Sequence, residues 1–279
     1  MPHPDLATLA LKMRRVQRWS EDNGSPRPTT VVHYADHPCA RVTVDPTSDS
    51  PAASFNDNRI TLWGGQGLSA SELDDMARLF GAQGIQRFFV WLHPAPGLAV
   101  AHEWLATNGA SRVPWTRYPT LVYSGASSAR PTTDLDVRKV TRSDIEAAGL
   151  TRDDVPGGYL QTLGRPGFHH FAAFDSGRLI ATAGLTHFED IAFLNGAKTA
   201  EAFRGRGAQT ALIAARIDEA QRLGCTLIAT ETLTMLKSSF ANLMRAGFEV
   251  AYEREVYEFV KHDNPSAGLV TGANSGGDL

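Results

Sequence analysis

The chain has 279 residues, of which 42% are hydrophobic and 20% are charged. This composition is typical of a globular protein, and the length suggests two modules at roughly 100–200 residues each. With 27 basic and 30 acidic residues the net charge is −3. That balance argues against a dedicated nucleic-acid-binding protein, because such proteins usually carry a basic excess. No apolar run approaches the ~18 residues that a transmembrane helix needs.

The N-terminus lacks the order of a secretory signal peptide, because its basic residues follow its short apolar run. The two cysteines, Cys39 and Cys225, stand in no CxxC pair, so neither a disulfide framework nor a zinc ribbon is expected. No other spacing is typical of metal ligands. Together these features predict a cytoplasmic protein without a metal and without nucleic-acid or membrane partners.

Two stretches of low complexity divide the chain. Residues 124–133 are small, polar and proline-bearing, which is typical of a linker. Residues 263–279 have the composition of a disordered tail. The sequence therefore predicts one domain at 1–123 and a second at 134–262.

The two predicted domains share a pattern of elements. In each, two glycines 17 residues apart bracket a helix-like segment with apolar residues along one face, and an apolar strand-like run follows. The glycines are Gly67, Gly84, Gly207 and Gly224, and the runs are 87–92 and 226–230. We interpret the pattern as a duplicated unit, although helix, glycine and strand also recur by chance in α/β proteins. A hairpin at 171–185 and a strand at 191–197 are predicted before the second copy.

The segment most informative about ligand binding is Phe-Arg-Gly-Arg-Gly-Ala-Gln-Thr at 203–210. It follows a predicted strand and begins a predicted helix. Its glycines allow close approach of a ligand to the backbone, and the helix offers unpaired N–H groups and the positive end of its dipole. Arg204 and Arg206 add positive charge and bidentate donors. The segment fits neither GxGxxG nor GxxxxGK[ST]. It predicts a phosphate-binding loop, and the alternative is an exposed Arg-Gly loop.

This segment resembles the acyl-CoA loop of the GCN5-related N-acetyltransferases (GNATs), whose pattern is [QR]-x-x-G-x-[GA]. It matches at Arg204 and Gly207 and departs at Gln209, where the family has Gly or Ala. Ala246-Gly247-Phe248 fits a second landmark of the family, and the resemblance covers about 134–260. It implies an α/β fold of two tandem GNAT-like domains, each a mixed, mostly antiparallel sheet flanked by helices, with a degenerate first copy.

The resemblance also implies acetyl-CoA, or another acyl-CoA, as co-substrate. Backbone amides of 205–210 would hold the pyrophosphate, and strand 191–199 would pair with the pantetheine arm and polarise the thioester carbonyl. The residues implied to bind the co-substrate are Ala197, Lys198, Thr199, Arg204, Gly205, Arg206, Gly207, Ala208, Gln209, Thr210, Ser239 and Asn242. The alternatives are that Ser238 or Ser239 caps the next helix and that Asn242 is an exposed helix residue.

Two carboxylates are the catalytic candidates. Glu231 follows strand 226–230, where the sheet of this fold splays, and is the favoured base or ammonium anchor; the alternative is a carboxylate that caps local backbone. Asp190 is the second candidate, in a predicted hairpin turn with Glu189 and His187, where a histidine is more typical of the surface. Leu243 stands where many GNATs have a tyrosine that protonates the departing thiolate, and leucine has no proton to donate.

These observations predict an enzyme that moves an acetyl or other short acyl group from CoA to an amine of a small molecule, by direct attack in a ternary complex. One alternative donor is a thioester on an acyl-carrier protein. A second alternative is a non-catalytic acyl-CoA sensor, suggested by Leu243. The first half lacks the arginines at its glycine-rich turn, 64–67, and is expected to form a wall of the substrate site or a structural partner.

Overall fold

The computed structural model describes residues 4–24, 37–47, 55–113, 117–125 and 133–260. The predicted tail and most of the predicted linker lie outside these described residues. The helices are α1 (Leu6–Gly24), α2 (Ala70–Ala82), α3 (Ala99–Thr107), α4 (Arg142–Ala147), α5 (Tyr159–Thr162), α6 (Ala208–Arg222) and α7 (Lys237–Arg245), with a 3₁₀ turn at Glu201–Phe203. The strands are β1 (Ala40–Thr43), β2 (Arg59–Leu62), β3 (Arg87–Leu92), β4 (Ser111–Arg112), β5 (Tyr118–Tyr123), β6 (Asp136–Lys139), β7 (Phe168–Asp175), β8 (Arg178–Phe188), β9 (Ile191–Thr199), β10 (Leu227–Glu231) and β11 (Phe248–Val260).

All of these strands belong to one continuous sheet in the order β1-β2-β3-β11-β5-β10-β9-β8-β7-β6, with the short β4 paired to β11. Only two pairs are parallel, β2 with β3 and β9 with β10. A helix connects the two strands of each parallel pair, α2 in the first half and α6 in the second. The repeated pattern of helix, glycine and strand is therefore a repeated structural unit, and the prediction of a mixed α/β sheet is confirmed.

The two halves exchange their final strands. β5, from the first half, lies between β10 and β11 and pairs antiparallel with both. In return, residues 255–260 of β11 pair with β3 of the first half. The short β4 of the first half also pairs antiparallel with β11. Neither half completes its sheet with its own residues alone.

Helix α1 packs on the second half of the chain although it opens the first. Leu9, Met13 and Val16 are fully buried against Ile191 of β9 and Leu227 of β10. Their spacing of three to four residues places them on one face of the helix. The helix thus closes one face of the second half's sheet. No helix within the described ranges is long and apolar enough to span a bilayer.

Helices α6 and α7 cover the opposite face of that sheet. The predicted apolar face of α6 is confirmed, since Leu212, Ile217 and Ala220 are buried in a cluster with Phe248 of β11. Arg216 interrupts this apolar face and is nevertheless only 3% exposed. A guanidinium in this position has to find hydrogen-bond acceptors inside the core.

Candidate active site

The second half's sheet opens between β9 and β10. The two strands pair only from Ile191 to Leu194 and from Leu227 to Thr230. Two cavities adjoin the opening, a wide cleft of about 510 Å³ and a narrow cavity of about 220 Å³. Four residues line both cavities, and we call them the junction. They are Tyr118, Asn195, Gly196 and Glu231.

The wide cleft lies between the two halves. The first half lines it with polar and aromatic side chains, among them Arg59, Trp63 and Trp91, while α1 contributes Gln17 and Glu21. The second half provides the facing wall, which is lined by Pro156, Gly157, Gly158, Tyr159, Gln161, Thr162, Phe168, His169, His170, Gly184, Leu185 and Phe193. A molecule in this cleft would therefore contact both halves of the chain.

The narrow cavity lies between α6, α7 and the open part of β9. Its lining includes Ala197, Gln209, Ser239, Asn242 and Leu243. Four of the residues implied to bind the co-substrate therefore converge on one space, together with Leu243.

A β-bulge shapes the strand beside this cavity. Asn195 pairs with Gly184 and Ala197 with Ala183, so Gly196 is the extra residue, and its φ is +39°. Backbone groups at a bulge leave the ladder of hydrogen bonds. The bulge therefore interrupts the regular strand pairing at the junction.

The loop before α6 is open to an anion. Gly207 precedes the helix with φ +78°, and no side chain caps the first turn. The first N–H groups of a helix lack partners within the helix. Arg204 forms an ion pair with Glu201 at 3.4 Å and Arg206 with Asp175, and both arginine side chains are about half or more exposed. Because Gln209 in this first turn lines the narrow cavity, the positive helix end lies at that cavity.

In the first half, the equivalent helix α2 has its N-terminal N–H groups capped by its own side chains. Ser69 caps α2, and the Glu72 carboxylate accepts hydrogen bonds from the Ser69 backbone N–H at 2.8 Å and its hydroxyl at 2.7 Å. In the preceding turn, Gly65 N–H donates to the Pro96 carbonyl at 3.0 Å. A carboxylate thus occupies the position that an external anion would take.

Glu231 ends β10 at the junction and is 7% exposed on its side chain. It forms an ion pair with Arg254 of β11, which is itself buried, and accepts hydrogen bonds from Gln17 Nε2 at 2.8 Å and Thr120 Oγ1 at 3.1 Å. The partners are side chains of three different elements, so the carboxylate does not act as a cap of local backbone. Its charge is compensated by Arg254, and its position is fixed.

Tyr118 is the junction residue that sequence reasoning did not find. Its ring lies 4.2 Å from the Arg254 guanidinium carbon, and burial raises the pKa of its hydroxyl. The side chain therefore presents a neutral phenol at physiological pH. Tyr118 reaches the site only because β5 crosses into the second half, and no local pattern in the sequence signals that crossing.

Asp190 is not brought to the junction. It lies in the turn between β8 and β9, where it pairs with Lys12 of α1 at 2.7 Å and accepts a hydrogen bond from Thr226. These two bonds lower the pKa of its carboxyl, which weakens it as a base. Glu189 of the same turn pairs with Arg15, and His187 lies within β8 rather than in the turn. The carboxylates of this turn attach α1 to the sheet.

Some side chains implied to bind the co-substrate point elsewhere. Lys198 Nζ donates to the Asp153 carbonyl, away from the narrow cavity. Thr199 Oγ1 accepts from Gln209 Nε2 at 2.8 Å, which ties β9 to the start of α6. The prediction that Ser238 or Ser239 caps α7 is wrong, because the residue before the helix is Leu236 and no side chain caps it.

A family model for acetyltransferases of the GNAT family matches residues 138–248. The chain carries a GNAT acetyltransferase domain. The matched segment includes the open loop, the bulge, both walls of the narrow cavity and Glu231. No curated protein matches the chain.

Solved GNAT structures share the fold along nearly the whole chain. A GCN5-related N-acetyltransferase from Kribbella flavida is 15% identical, with a TM-score of 0.64 over 92% of this chain and 96% of that one. A tandem GNAT protein from the clavulanic acid biosynthesis pathway is 15% identical, with a TM-score of 0.60 over 91% and 93%. An acetyltransferase of the GNAT family from Colwellia psychrerythraea is 14% identical, with a TM-score of 0.57 over 90% and 96%.

At these identities the likeness establishes the fold, and the predicted tandem GNAT architecture is confirmed. The first half retains the β2-α2-β3 unit of that fold while its helix end is closed by Glu72. Within the described part of the chain, no group of three His, Cys, Asp or Glu side chains could hold a metal ion.

Proposed function

We propose that this GNAT protein transfers an acetyl or other short acyl group from acyl-CoA to an amine of a small molecule. The observation that carries the proposal is the meeting of two cavities at Glu231, Tyr118 and the β9 bulge. A donor and an acceptor that enter from opposite sides would meet there. Such an arrangement suits direct transfer between two bound substrates.

The donor would occupy the narrow cavity. Backbone N–H groups of 205–210, with Arg204 and Arg206 nearby, would bind the pyrophosphate. Ser239 and Asn242 of α7 line this cavity, and their hydroxyl and amide groups would contact the arm of the donor. Backbone groups beside Gly196 would pair with the arm and stabilise the developing oxyanion at the thioester.

The acceptor would occupy the wide cleft. Its volume of about 510 Å³ suits a small molecule, and Glu231 at its inner end would hold the acceptor as an ammonium or take its proton. The neutral amine nitrogen attacks the thioester carbonyl carbon, the C–S bond breaks, and the sulfur leaves with the bonding electrons. The amine would lose one proton to Glu231 or to water, and the products are an amide and the CoA thiolate.

The test of the function is thiol release from free acetyl-CoA with a panel of small primary amines. Release that depends on the amine, with the acylated product identified by mass spectrometry, supports the proposal. Binding of CoA without thiol release across the panel would instead favour a sensor. Absence of CoA binding would contradict both.

Replacement of the two candidate carboxylates separates their roles. We expect Glu231→Gln to lower kcat by about 100-fold, the usual size of a lost acid–base group, while CoA affinity stays within about twofold. Glu231→Asp, which keeps the counter-charge of Arg254, should lower kcat by about 10-fold because its carboxylate is displaced by about 1 Å. Asp190→Asn is the matched control and should change kcat by less than about twofold, as for an exposed ion pair.

Steady-state kinetics with calorimetric CoA binding measures both quantities. Thermal melting must accompany them, because Gln leaves Arg254 buried without a counter-charge, a loss of about 3–5 kcal/mol. Unchanged kcat in both Glu231 variants would remove this residue from the mechanism.

Because the N-terminus of α2 is capped by its own side chains, we expect one CoA to bind per chain. The Glu72 carboxylate occupies the helix end in the first half, whereas no side chain occupies it in the second. Titration calorimetry should therefore give a stoichiometry of one. Two equivalent sites would show that the first half also binds the co-substrate.

A further inference from the structure

Arg216 of α6 is a buried cation at the narrow cavity. It is 3% exposed and belongs to the lining of that cavity together with Leu243. No carboxylate lies within ion-pair distance of it among the described residues. Burying a charge without a counter-charge is costly. The presence of an arginine at this position therefore calls for a reason other than packing.

The guanidinium is held by three backbone carbonyls. Nε donates to Leu212 O at 3.0 Å, and Nη1 donates to Gly184 O at 3.1 Å and Asn195 O at 3.2 Å. Gly184 and Asn195 are the paired residues at the edge of the β9 bulge, and Asn195 also belongs to the junction.

The other charged side chain that lines the narrow cavity, Glu231, is already paired. Glu231 and Arg254 form a pair with no net charge, and Tyr118 is a neutral phenol there. Burial lowers the pKa of Arg216 to about 9, so it remains a cation at neutral pH. Among the described residues, Arg216 is thus the source of net positive charge in the lining of the narrow cavity.

We propose that the positive charge of Arg216 stabilises the CoA thiolate as it leaves the thioester. The inference rests on the proposed function. When the C–S bond breaks, the sulfur takes the bonding electrons and becomes negative, and a fixed cation in the lining of the same cavity would lower the energy of that state. Leu243 in the same cavity has no proton to give, and the positive charge of Arg216 makes a proton donor there unnecessary.

The test measures the thiol pKa of bound CoA, which requires no turnover. Reduced CoA is bound to the protein, and thiolate absorbance is titrated against the same protein without CoA. Burial raises the pKa of both Cys39 and Cys225 to about 11, so the protein's own thiols titrate later. We expect the bound thiol pKa to lie at least ~1 unit below that of free CoA, as for a group beside an opposite charge.

Three variants distinguish charge from structure. Arg216→Met removes the cation and should return the thiol pKa to the value of free CoA or above it. Arg216→Lys keeps a basic side chain, but burial lowers the pKa of a lysine more readily than that of an arginine, so its thiol pKa should lie between those of the wild type and Arg216→Met. Tyr118→Phe removes the hydroxyl at the junction and should leave the thiol pKa at the wild-type value.

A wild-type thiol pKa equal to or above that of free CoA overturns the proposal, whether or not the variants fold. A lowered value that persists in folded Arg216→Met, or that disappears only in Tyr118→Phe, also overturns it. Failure of the wild-type protein to bind CoA would contradict the proposed function instead, so the two failures are distinguishable.

Discussion

A fragment of residues 133–279 is expected to lose cooperative unfolding and CoA binding altogether. The fragment lacks β5, and its absence leaves the facing edges of β10 and β11 without the strand that joins them. It also lacks α1, whose Leu9, Met13 and Val16 are fully buried on the same sheet. Chemical denaturation and calorimetry with CoA measure both losses.

Two controls show whether the exchanged strands cause the loss. Co-expression with residues 1–125 should restore a complex that binds CoA. A chain carrying a protease site within 126–132 and cut after folding should keep its affinity, because the cut removes no strand. A monomeric 133–279 fragment that unfolds cooperatively and binds CoA like the full chain would contradict the prediction.

Gly207→Val is expected to weaken CoA binding by roughly 1,000-fold. Gly207 has φ +78°, which a β-branched side chain rarely adopts. The backbone must then shift at the start of α6, where N–H groups would bind the pyrophosphate. Loss of two hydrogen bonds to a charged group, at about 2 kcal/mol each, accounts for this factor.

Gly224→Val is the matched control for this variant. Gly224 follows the same helix with φ +76°, and a Cβ at either glycine meets no atom within 4 Å. The two variants should therefore lose similar stability, whereas only Gly207→Val should lose CoA affinity. Arg204→Ala should weaken binding by only about fivefold, since its exposed charge is worth about 1 kcal/mol. Equal CoA affinities in both glycine variants would remove the loop from the binding site.

Local patterns in the sequence predicted the repeated unit and the loop. The strand at 87–92 and the apolar face of α6 depend on periodicity within one element, which propensity and burial determine together. The glycines at 205 and 207 are needed for left-handed backbone conformations, so they too are visible locally. These features required no knowledge of distant pairing.

The remaining features depend on contacts between distant segments. Tyr118 and α1 belong to the first half by sequence and to the second half's sheet by packing, and no local pattern specifies either assignment. The burial of Arg216 in an apolar helix face depends on carbonyl acceptors of two strands rather than on side chains. Because every residue has a backbone carbonyl, the sequence does not show which carbonyls accept these hydrogen bonds.

The exchange of β5 and β11 also limits how recombination can change such a protein during evolution. Recombination that brought in a new first half would replace β5, Tyr118 and the pairing partner of residues 255–260 in one step. The incoming strand would have to pair with β10 and β11, although its sequence had not evolved together with theirs. The two halves are therefore expected to descend together as one unit, and tandem relatives should rarely be mosaics joined at the linker.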